Sequence, residues 1–115
     1  MKENRRSDLL PGTLEMLILG ILAHGRLHGY GIAEQIRRRS EDVLTVGEGS
    51  LYPALQRLLV RGWVESEWAI SETNRKARFY RLTKRGKSQV VDETQAFERL
   101  AQAVLKVMRP AQGSS

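Results

Sequence analysis

The residues best suited to molecular recognition lie on a short helix predicted over residues 50–61. Its leucines recur at helical spacing and form an apolar face: Leu51, Leu55, Leu58 and Leu59. The opposite side carries mainly hydrogen-bonding groups and no acid: Ser50, Tyr52, Pro53, Gln56 and Arg57. A glutamine amide can pair with adenine and a guanidinium with guanine, each through two hydrogen bonds in the major groove. We therefore expect this face to contact the bases of double-stranded DNA.

Both ends of this recognition helix are also marked in the sequence. Ser50 is a suitable N-cap, because its hydroxyl can accept a hydrogen bond from a backbone N–H of the first turn. Pro53 is then expected in that first turn, where its missing N–H removes no helical hydrogen bond. Gly62 is expected to stop the helix.

A basic segment follows over residues 74–88. It holds seven of the chain's 19 Lys and Arg residues and none of its 13 acidic residues, so the net charge of +6 is concentrated there. Positive charge without nearby acids favours contact with phosphate groups. The residues expected to make these contacts are Asn74, Arg75, Lys76 and Arg78. Another acidic macromolecule is the alternative partner for this segment.

Three helices and a hairpin are predicted to position these residues. The first two helices cover residues 13–24 and 32–40, with Thr13 as the expected cap of the first. After the recognition helix, aromatic and β-branched residues over 63–70 and 77–82 flank a polar loop and predict two paired strands. A mainly α fold with such a β-hairpin is a winged helix-turn-helix. In that fold the third helix enters the major groove and the hairpin, or wing, lies along the DNA backbone.

A long last helix, residues 84–109, is expected to build a homodimer. Thr83 is suited to cap it, and its length of about 37 Å at 1.5 Å per residue exceeds the body of so small a domain. Apolar side chains recur along it near every 3.5 residues: Val90, Phe97, Ala101, Val104 and Met108. Such a stripe favours pairing with a second copy, with Leu14 and Ile18 of the first helix completing the interface. A two-fold dimer would place two recognition helices about 34 Å apart and favours a palindromic site.

The remaining segments carry weaker signals. Residues 1–8 form a polar arm expected to be flexible, either a solvated tail or a contact to phosphates. Residues 37–39, three arginines, are either a solvated face or further phosphate contacts. Residues 110–115 are expected to form a disordered tail. The expected organisation is therefore an arm, a winged-helix domain over residues 9–83, a dimerisation helix over residues 84–109 and a tail.

Metal, redox and catalytic chemistry have little support in the sequence. The chain has no cysteine, which excludes disulfides and thiolate zinc ligands. His24 and His28 lie four residues apart, but glycines interrupt the segment and no carboxylate lies close by, so we interpret them as polar residues of a turn. No nucleophile with a base and no phosphate-cradling motif is evident. We expect no enzyme activity, no metal and no cofactor.

A membrane location is not expected either. The longest apolar run, residues 16–23, is far shorter than the roughly 20 residues that span a bilayer. It also lacks the cleavage region of a signal peptide. We therefore expect a soluble, cytoplasmic protein without a membrane partner.

Motifs spread over residues 9–88 resemble those of the PadR family of transcriptional regulators. They are Leu10–Glu15, Leu27–Ile32, Gly49–Leu55, Arg61–Trp63, Tyr80–Thr83 and Gly86. The resemblance implies a homodimeric winged-helix protein, commonly a repressor whose DNA affinity responds to a small aromatic or drug-like effector. A single C-terminal helix is similar to the short subfamily, in which the first and last helices build the dimer and some members bind flat aromatic compounds between the subunits.

In that subfamily, the position 14 residues after the threonine of the Tyr80–Thr83 motif can line the ligand pocket between subunits, and Phe97 occupies it here. An aromatic residue in the apolar stripe is otherwise a packing residue. The sequence as a whole predicts a sequence-specific, homodimeric repressor. The alternative is a winged-helix module that binds a protein partner and does not read DNA.

Overall fold

A computed structural model describes residues 12–110 of the chain, which form four helices and three strands. In chain order these are α1 (Thr13–Leu22), β1 (Leu27–His28), α2 (Gly29–Arg39), α3 (Glu48–Arg61), β2 (Val64–Ile70), β3 (Lys76–Leu82) and α4 (Lys84–Met108). The fold is a winged helix-turn-helix with a long C-terminal helix, as the sequence predicts. The predicted flexible arm, residues 1–8, and the predicted disordered tail, apart from Pro110, lie outside the described residues.

The core lies where α1, α2 and α3 pack together against one end of the sheet. Its most deeply buried large side chains are Ile18, Leu19, Ile32, Leu51, Leu55 and Leu58. The predicted apolar face of α3 supplies half of this set, because leucines spaced at i, i+4 and i+7 meet on one side of a helix. Val64, Tyr80 and Leu82 extend the core into the sheet. This packing leaves the opposite face of α3 in solvent.

The sheet has three antiparallel strands in the order β1-β3-β2, one more than the predicted two-stranded hairpin. β2 and β3 pair close to their predicted bounds, with Val64 opposite Leu82. The additional strand, β1, pairs Leu27 with Tyr80. Two residues are too few to show the alternation of polar and apolar side chains by which strands are recognised in a sequence.

The cap of α1 and the start of α2 differ from the prediction. Gly12, in the left-handed region at φ 87°, precedes α1, and no described side chain caps that helix, so the predicted Thr13 cap is wrong. α2 begins at Gly29, three residues earlier than predicted, because Nδ1 of His28 accepts a hydrogen bond from the backbone N–H of Gly31 at 3.0 Å. The imidazole thus acts as the N-cap, a role that Ser, Thr, Asp or Asn usually fills.

The recognition helix α3 also begins before its predicted start. Its N-cap is Gly47, whose carbonyl accepts hydrogen bonds from the N–H groups of Ser50 and Leu51 at 3.1 and 3.0 Å. Ser50 therefore lies within the first turn and is not the cap, and Pro53 lies in the second turn instead of the first. There the proline lacks the N–H that would bond the carbonyl of Gly49. Gly49 is exposed, so water can satisfy that carbonyl.

The start of α4 is confirmed, because Thr83 caps it as predicted. Its Oγ1 accepts a hydrogen bond from the N–H of Gly86 at 3.0 Å and donates one to the carbonyl of Gly62 at 2.7 Å. Gly86 lies so close to the carbonyl oxygen of Trp63 that a Cβ at position 86 would overlap it. These contacts fix the direction in which α4 leaves the domain.

α4 extends well beyond the body of the domain. The radius of gyration is 16.5 Å and the longest dimension 61 Å, whereas a compact domain of 100 residues has a radius of gyration of about 13 Å. Of the 25 residues of α4, Gly86 alone is buried. The second half of α4 therefore projects into solvent.

None of the helices within residues 12–110, α4 included, is long and apolar enough to cross a membrane.

Candidate nucleic-acid interface

The outer face of α3 carries the side chains predicted to read DNA. All five are exposed: Ser50, Tyr52, Pro53, Gln56 and Arg57. At about 100° per residue, Pro53 and Gln56 lie opposite the core. Tyr52 and Arg57 occupy the two flanks. Glu48, in the first turn, is the acid of this helix. The face is thus polar over most of its length and accessible.

Arg57 has a partner that the sequence did not reveal. Its Nε donates a hydrogen bond of 2.6 Å to Oε2 of Glu15 on α1. The Glu15 side chain is 11% exposed and that of Arg57 51%. Burial raises the pKa of Glu15, but the hydrogen bond from Arg57, a backbone hydrogen bond and the charges of Arg57 and Arg61 together outweigh burial and hold that pKa below its usual value. The charged carboxylate therefore keeps the Nε edge of Arg57 turned toward α1.

The wing, formed by β2, β3 and their loop, carries three bases of the predicted phosphate-binding set. Arg75 lies in the loop, Lys76 and Arg78 lie on β3, and all three are exposed. None of them has an acidic partner within 4.0 Å among residues 12–110. Lys76 Nζ lies 5.6 Å from the ring centre of Trp68, and the Arg78 guanidinium 5.6 Å from that of Tyr80. These charges are therefore available to an anionic partner.

Asn74 differs from the other three residues of that set. Its φ is 61°, in the left-handed region, and its backbone N–H donates a hydrogen bond of 2.9 Å to the carbonyl of Ser71. Asparagine adopts this conformation more readily than most residues. Asn74 therefore shapes the turn that brings Arg75 to the tip of the wing, and its contact with phosphate stays a prediction.

One base of the 74–88 segment is neutralised within the protein. Arg81 projects from the other face of the sheet than Arg78 and pairs with Glu65 at 2.8 Å and Glu67 at 3.2 Å. The hydrogen bond to Glu65 and the charges of both carboxylates raise the pKa of Arg81. The charge free for a partner is accordingly smaller than the sequence count implies.

The three arginines at the end of α2 are only partly free. Arg37 pairs with Glu34 at 2.7 Å and with Asp42 at 2.6 Å, whereas Arg38 and Arg39 are exposed. Arg37 therefore belongs to a surface cluster of ion pairs.

A cleft of about 860 Å³ separates the wing from the starts of α2 and α3. We call it the aromatic cleft, because its walls include Tyr30, Tyr52 and Trp68. A Cβ at position 29 would approach the Tyr52 hydroxyl oxygen to 2.5 Å, so Gly29 permits the close contact between α2 and α3. Burial raises the pKa of Tyr52. Tyr30 and Trp68 were not among the residues predicted from the sequence to contact DNA. For Trp68, the available sequence signal was an aromatic side chain within the polar stretch of β2.

The residues predicted to form the dimer fall into two groups. Ile18 is fully buried and Leu14 is 9% exposed, so both belong to the protomer's own core. Ile18 has no surface left for a second copy, so its assignment to a dimer interface is wrong, whereas that of Leu14 stays a prediction. On α4, Val90 packs partly against the same core. The remaining residues of the stripe have exposed surface: Phe97, Ala101, Val104 and Met108.

A smaller cavity of about 240 Å³ lies between the start of α1 and the middle of α4. Met16, Phe97 and Leu100 are its large apolar residues. Small-molecule pockets usually measure about 300–1,000 Å³ and enclose most of the ligand. The volume of this cavity lies below that range.

His24 and His28 are not brought together with other metal ligands. Nδ1 of His28 caps α2, and its Nε2 lies 3.8 Å from Glu72. His24 is exposed after the end of α1. Within the described range, 12–110, no three His, Asp or Glu residues are grouped so that they could hold a metal ion.

Comparisons with known proteins agree with this architecture. A model of the transcriptional regulator PadR-like family matches residues 18–92. A transcriptional regulator of Mycobacterium tuberculosis is 33% identical over 93 residues, 81% of this chain and 83% of that protein. The negative transcriptional regulator PadR of Bacillus subtilis is 29% identical over 80 residues, 70% of this chain and 44% of that protein. The solved structure of a transcriptional regulator from Clostridium thermocellum matches with a TM-score of 0.79 at 27% identity, covering 90% of this chain and all of that one.

Proposed function

Because the chain belongs to the PadR-like family of transcriptional regulators, we propose that it is a homodimeric repressor that binds a specific, palindromic promoter sequence. The observation that carries this proposal is the position of the wing beside the outer face of α3. Arg75, Lys76 and Arg78 of the wing have no acidic partner within the described chain. Winged-helix recognition of DNA requires such a pair of surfaces, one for bases and one for phosphates.

The two surfaces suit different parts of a duplex. On α3, Gln56 and Tyr52 present hydrogen-bonding groups, with Ser50 and Pro53 at the end of the helix nearest its N-terminus. Arg57 keeps its terminal N–H groups for a base, since Glu15 occupies Nε. The wing carries full charges, which supply affinity without sequence preference. Specificity is thus assigned to α3 and most of the affinity to the wing, with Asn74 shaping its tip.

The proposed partner of α4 is the same helix of a second copy. Leu100 and Leu105, 58% and 41% exposed, broaden the exposed stripe that contains Phe97 and Val104. Apolar residues that repeat in this way pack into a seam when two helices meet. A two-fold axis would use this surface twice and present two recognition helices to one palindrome.

Repression and its release form the last part of the proposal. The Bacillus subtilis relative is named a negative transcriptional regulator, which supports a repressor. The cavity beside Phe97 borders the proposed seam, so a second copy would close it over a small aromatic effector. Such an effector releases DNA only if it binds the DNA-free arrangement of the dimer more tightly than the bound one.

Salt dependence of DNA binding is the first test. A dimer that contacts 6–10 phosphates is expected to lose roughly 10³- to 10⁵-fold in affinity between 50 and 200 mM salt. Fluorescence anisotropy with the protein's own promoter duplex, compared with a shuffled duplex of the same composition, measures both the slope and the sequence preference. A flat slope, or equal affinity for the two duplexes, would refute the proposal.

The competing function is an interaction module that binds a protein through α3. Such a surface is expected to be apolar at its centre. On the outer face of α3, however, Pro53 and Val60 are the apolar residues beside the polar groups. The polar character of this face favours DNA.

A further inference from the structure

The aromatic cleft has two walls of mixed chemistry. On the wing, Trp68 lies directly opposite Arg78 in the pairing of β2 with β3, and Lys76 lies over its ring. On the helical side, Tyr30 lies in the first turn of α2 and Tyr52 on the flank of α3. Tyr30, Tyr52 and Trp68 keep 72%, 45% and 64% of their surfaces exposed. Apolar rings thus alternate with cations that have no acidic partner among residues 12–110.

This exposure distinguishes the cleft from a small-molecule pocket. The volume of the cleft, about 860 Å³, is within the range of such pockets, but they enclose about 70–90% or more of their ligand, whereas the walls of this cleft are open to solvent. The hydrophobic core does not include these three rings either. An elongated partner with both apolar and anionic parts fits the cleft better. One strand of a DNA duplex meets this description, because apolar sugar faces alternate with phosphates along it.

We propose that the aromatic cleft receives one sugar–phosphate strand of the duplex, with Trp68 and Tyr30 against deoxyribose and with Lys76 and Arg78 against the flanking phosphates. The inference rests on the proposed function and adds two uncharged DNA contacts to it. The strand is the one between the major groove that α3 enters and the wing. Glu72 also lines the cleft, and its carboxylate lies 3.8 Å from Nε2 of His28.

The two tryptophans of the chain make the contact measurable. Trp63→Phe leaves Trp68 as the reporter, and Trp68→Phe leaves Trp63, which lies outside the cleft. On titration with the promoter duplex, we expect the emission to change in the first variant and to stay constant in the second. Equal changes in the two variants, or no change in the first while anisotropy reports binding, would overturn the proposal.

Trp68→Ala measures the contribution of the ring to affinity. We expect affinity to fall about ten-fold per protomer for promoter and shuffled duplexes alike, as for roughly 60 Å² of apolar surface. The slope of log affinity against log salt is expected to stay unchanged, because no charge is removed. Lys76→Gln is expected to flatten that slope by about 0.9 for each phosphate that the variant no longer neutralises.

Ile70→Ala is the matched control for Trp68→Ala. Ile70 is 62% exposed on the same strand but does not line the cleft, so its replacement is expected to leave affinity and slope unchanged. Wild-type protein that binds no duplex would overturn the proposed function and this inference together. Binding by wild type with Trp68→Ala indistinguishable from Ile70→Ala would overturn the inference alone. Saturable quenching of Trp68 by 2-naphthoate, with no response to duplex, would assign the cleft to a small ligand and overturn it as well.

Discussion

Arg57 has to satisfy two partners if it reads DNA. Its Nε is bonded to Glu15, whereas a bidentate contact with guanine uses two N–H groups. A guanidinium has five N–H donors, so the terminal groups remain for the base. The bond to Glu15 then fixes the plane of the guanidinium before DNA arrives. Binding therefore costs less side-chain freedom.

Arg57→Ala and Arg75→Ala are expected to have different effects on DNA binding. The first is expected to lower discrimination at one base pair of each half-site by about 1–3 kcal/mol, the contribution of a bidentate pair. The second is expected to weaken binding to all sequences alike, because it removes a phosphate contact. Sequencing of the duplexes selected by each variant from a random pool separates the two. Equal losses of preference would contradict the division of roles between α3 and the wing.

Glu15→Gln is the matched control for Arg57→Ala, since it removes the ion pair and keeps the guanidinium. A partial loss of base preference is expected, because Arg57 is then less well oriented. Destabilisation of both variants in thermal unfolding, with base preference intact, would assign the ion pair to the scaffold alone.

The junction of α3, β2 and α4 is held by the hydroxyl and the backbone N–H of one residue, Thr83. Thr83 bonds the last carbonyl of the α3 region, at Gly62, and caps α4 through Gly86. Its backbone N–H also donates to the carbonyl of Trp63 at 3.0 Å. A helix held in this way at its first turn has little freedom to change direction, which matters if α4 sets the spacing of two recognition helices.

Gly86→Ala is expected to destabilise the fold by about 1–3 kcal/mol, because the added methyl group overlaps the carbonyl of Trp63. Alanine is otherwise the better helix former by about 1 kcal/mol. Gly20→Ala in α1 is the matched control: a Cβ there meets nothing within 4 Å, so a gain of about 0.5–1 kcal/mol is expected. Urea unfolding followed by circular dichroism measures both variants. Stabilisation by Gly86→Ala would show that the junction tolerates movement.

The molecule is more elongated than a compact domain of its size. A radius of gyration of 16.5 Å reflects a C-terminal helix whose outer half contacts little of its own protomer. Exposed apolar side chains in that half would favour aggregation of an isolated monomer, whereas a dimer would bury them. The proposed two-fold assembly therefore accounts for the shape as well as for the stripe.

Val104→Glu is expected to convert the dimer to a monomer at micromolar concentration and to abolish the preference for palindromic over single half-sites. Val104 is 42% exposed, so the fold itself is expected to tolerate the charge. Gln102→Glu adds the same charge on the side of α4 away from the stripe and is expected to leave the dimer intact. Sedimentation velocity gives the oligomeric state. A wild type that is monomeric under these conditions would contradict the proposed assembly.

The sequence by itself determined the features that depend on neighbouring residues. Leucine spacing predicted the buried face of α3, and Thr83 predicted the start of α4, because helical periodicity and capping act within a few residues. The strands of the wing were likewise predicted almost to their bounds. The starts of α2 and α3 and the cap of α1 were not, because His28 caps α2 and glycines occupy the cap positions of α1 and α3.

Tertiary structure alone decided the contacts between distant parts of the chain. The bond between Arg57 and Glu15 joins residues 42 apart, and β1 exists only because Leu27 meets Tyr80. The same packing placed Ile18 in the core, away from any second copy. Tertiary structure also decides which charges are paired. Arg81 forms ion pairs with two glutamates, whereas Arg78 has no acidic partner in the described chain. In the sequence the two arginines contribute the same charge. Whether that charge is neutralised depends on the face of the sheet that the side chain occupies and on the residues opposite it.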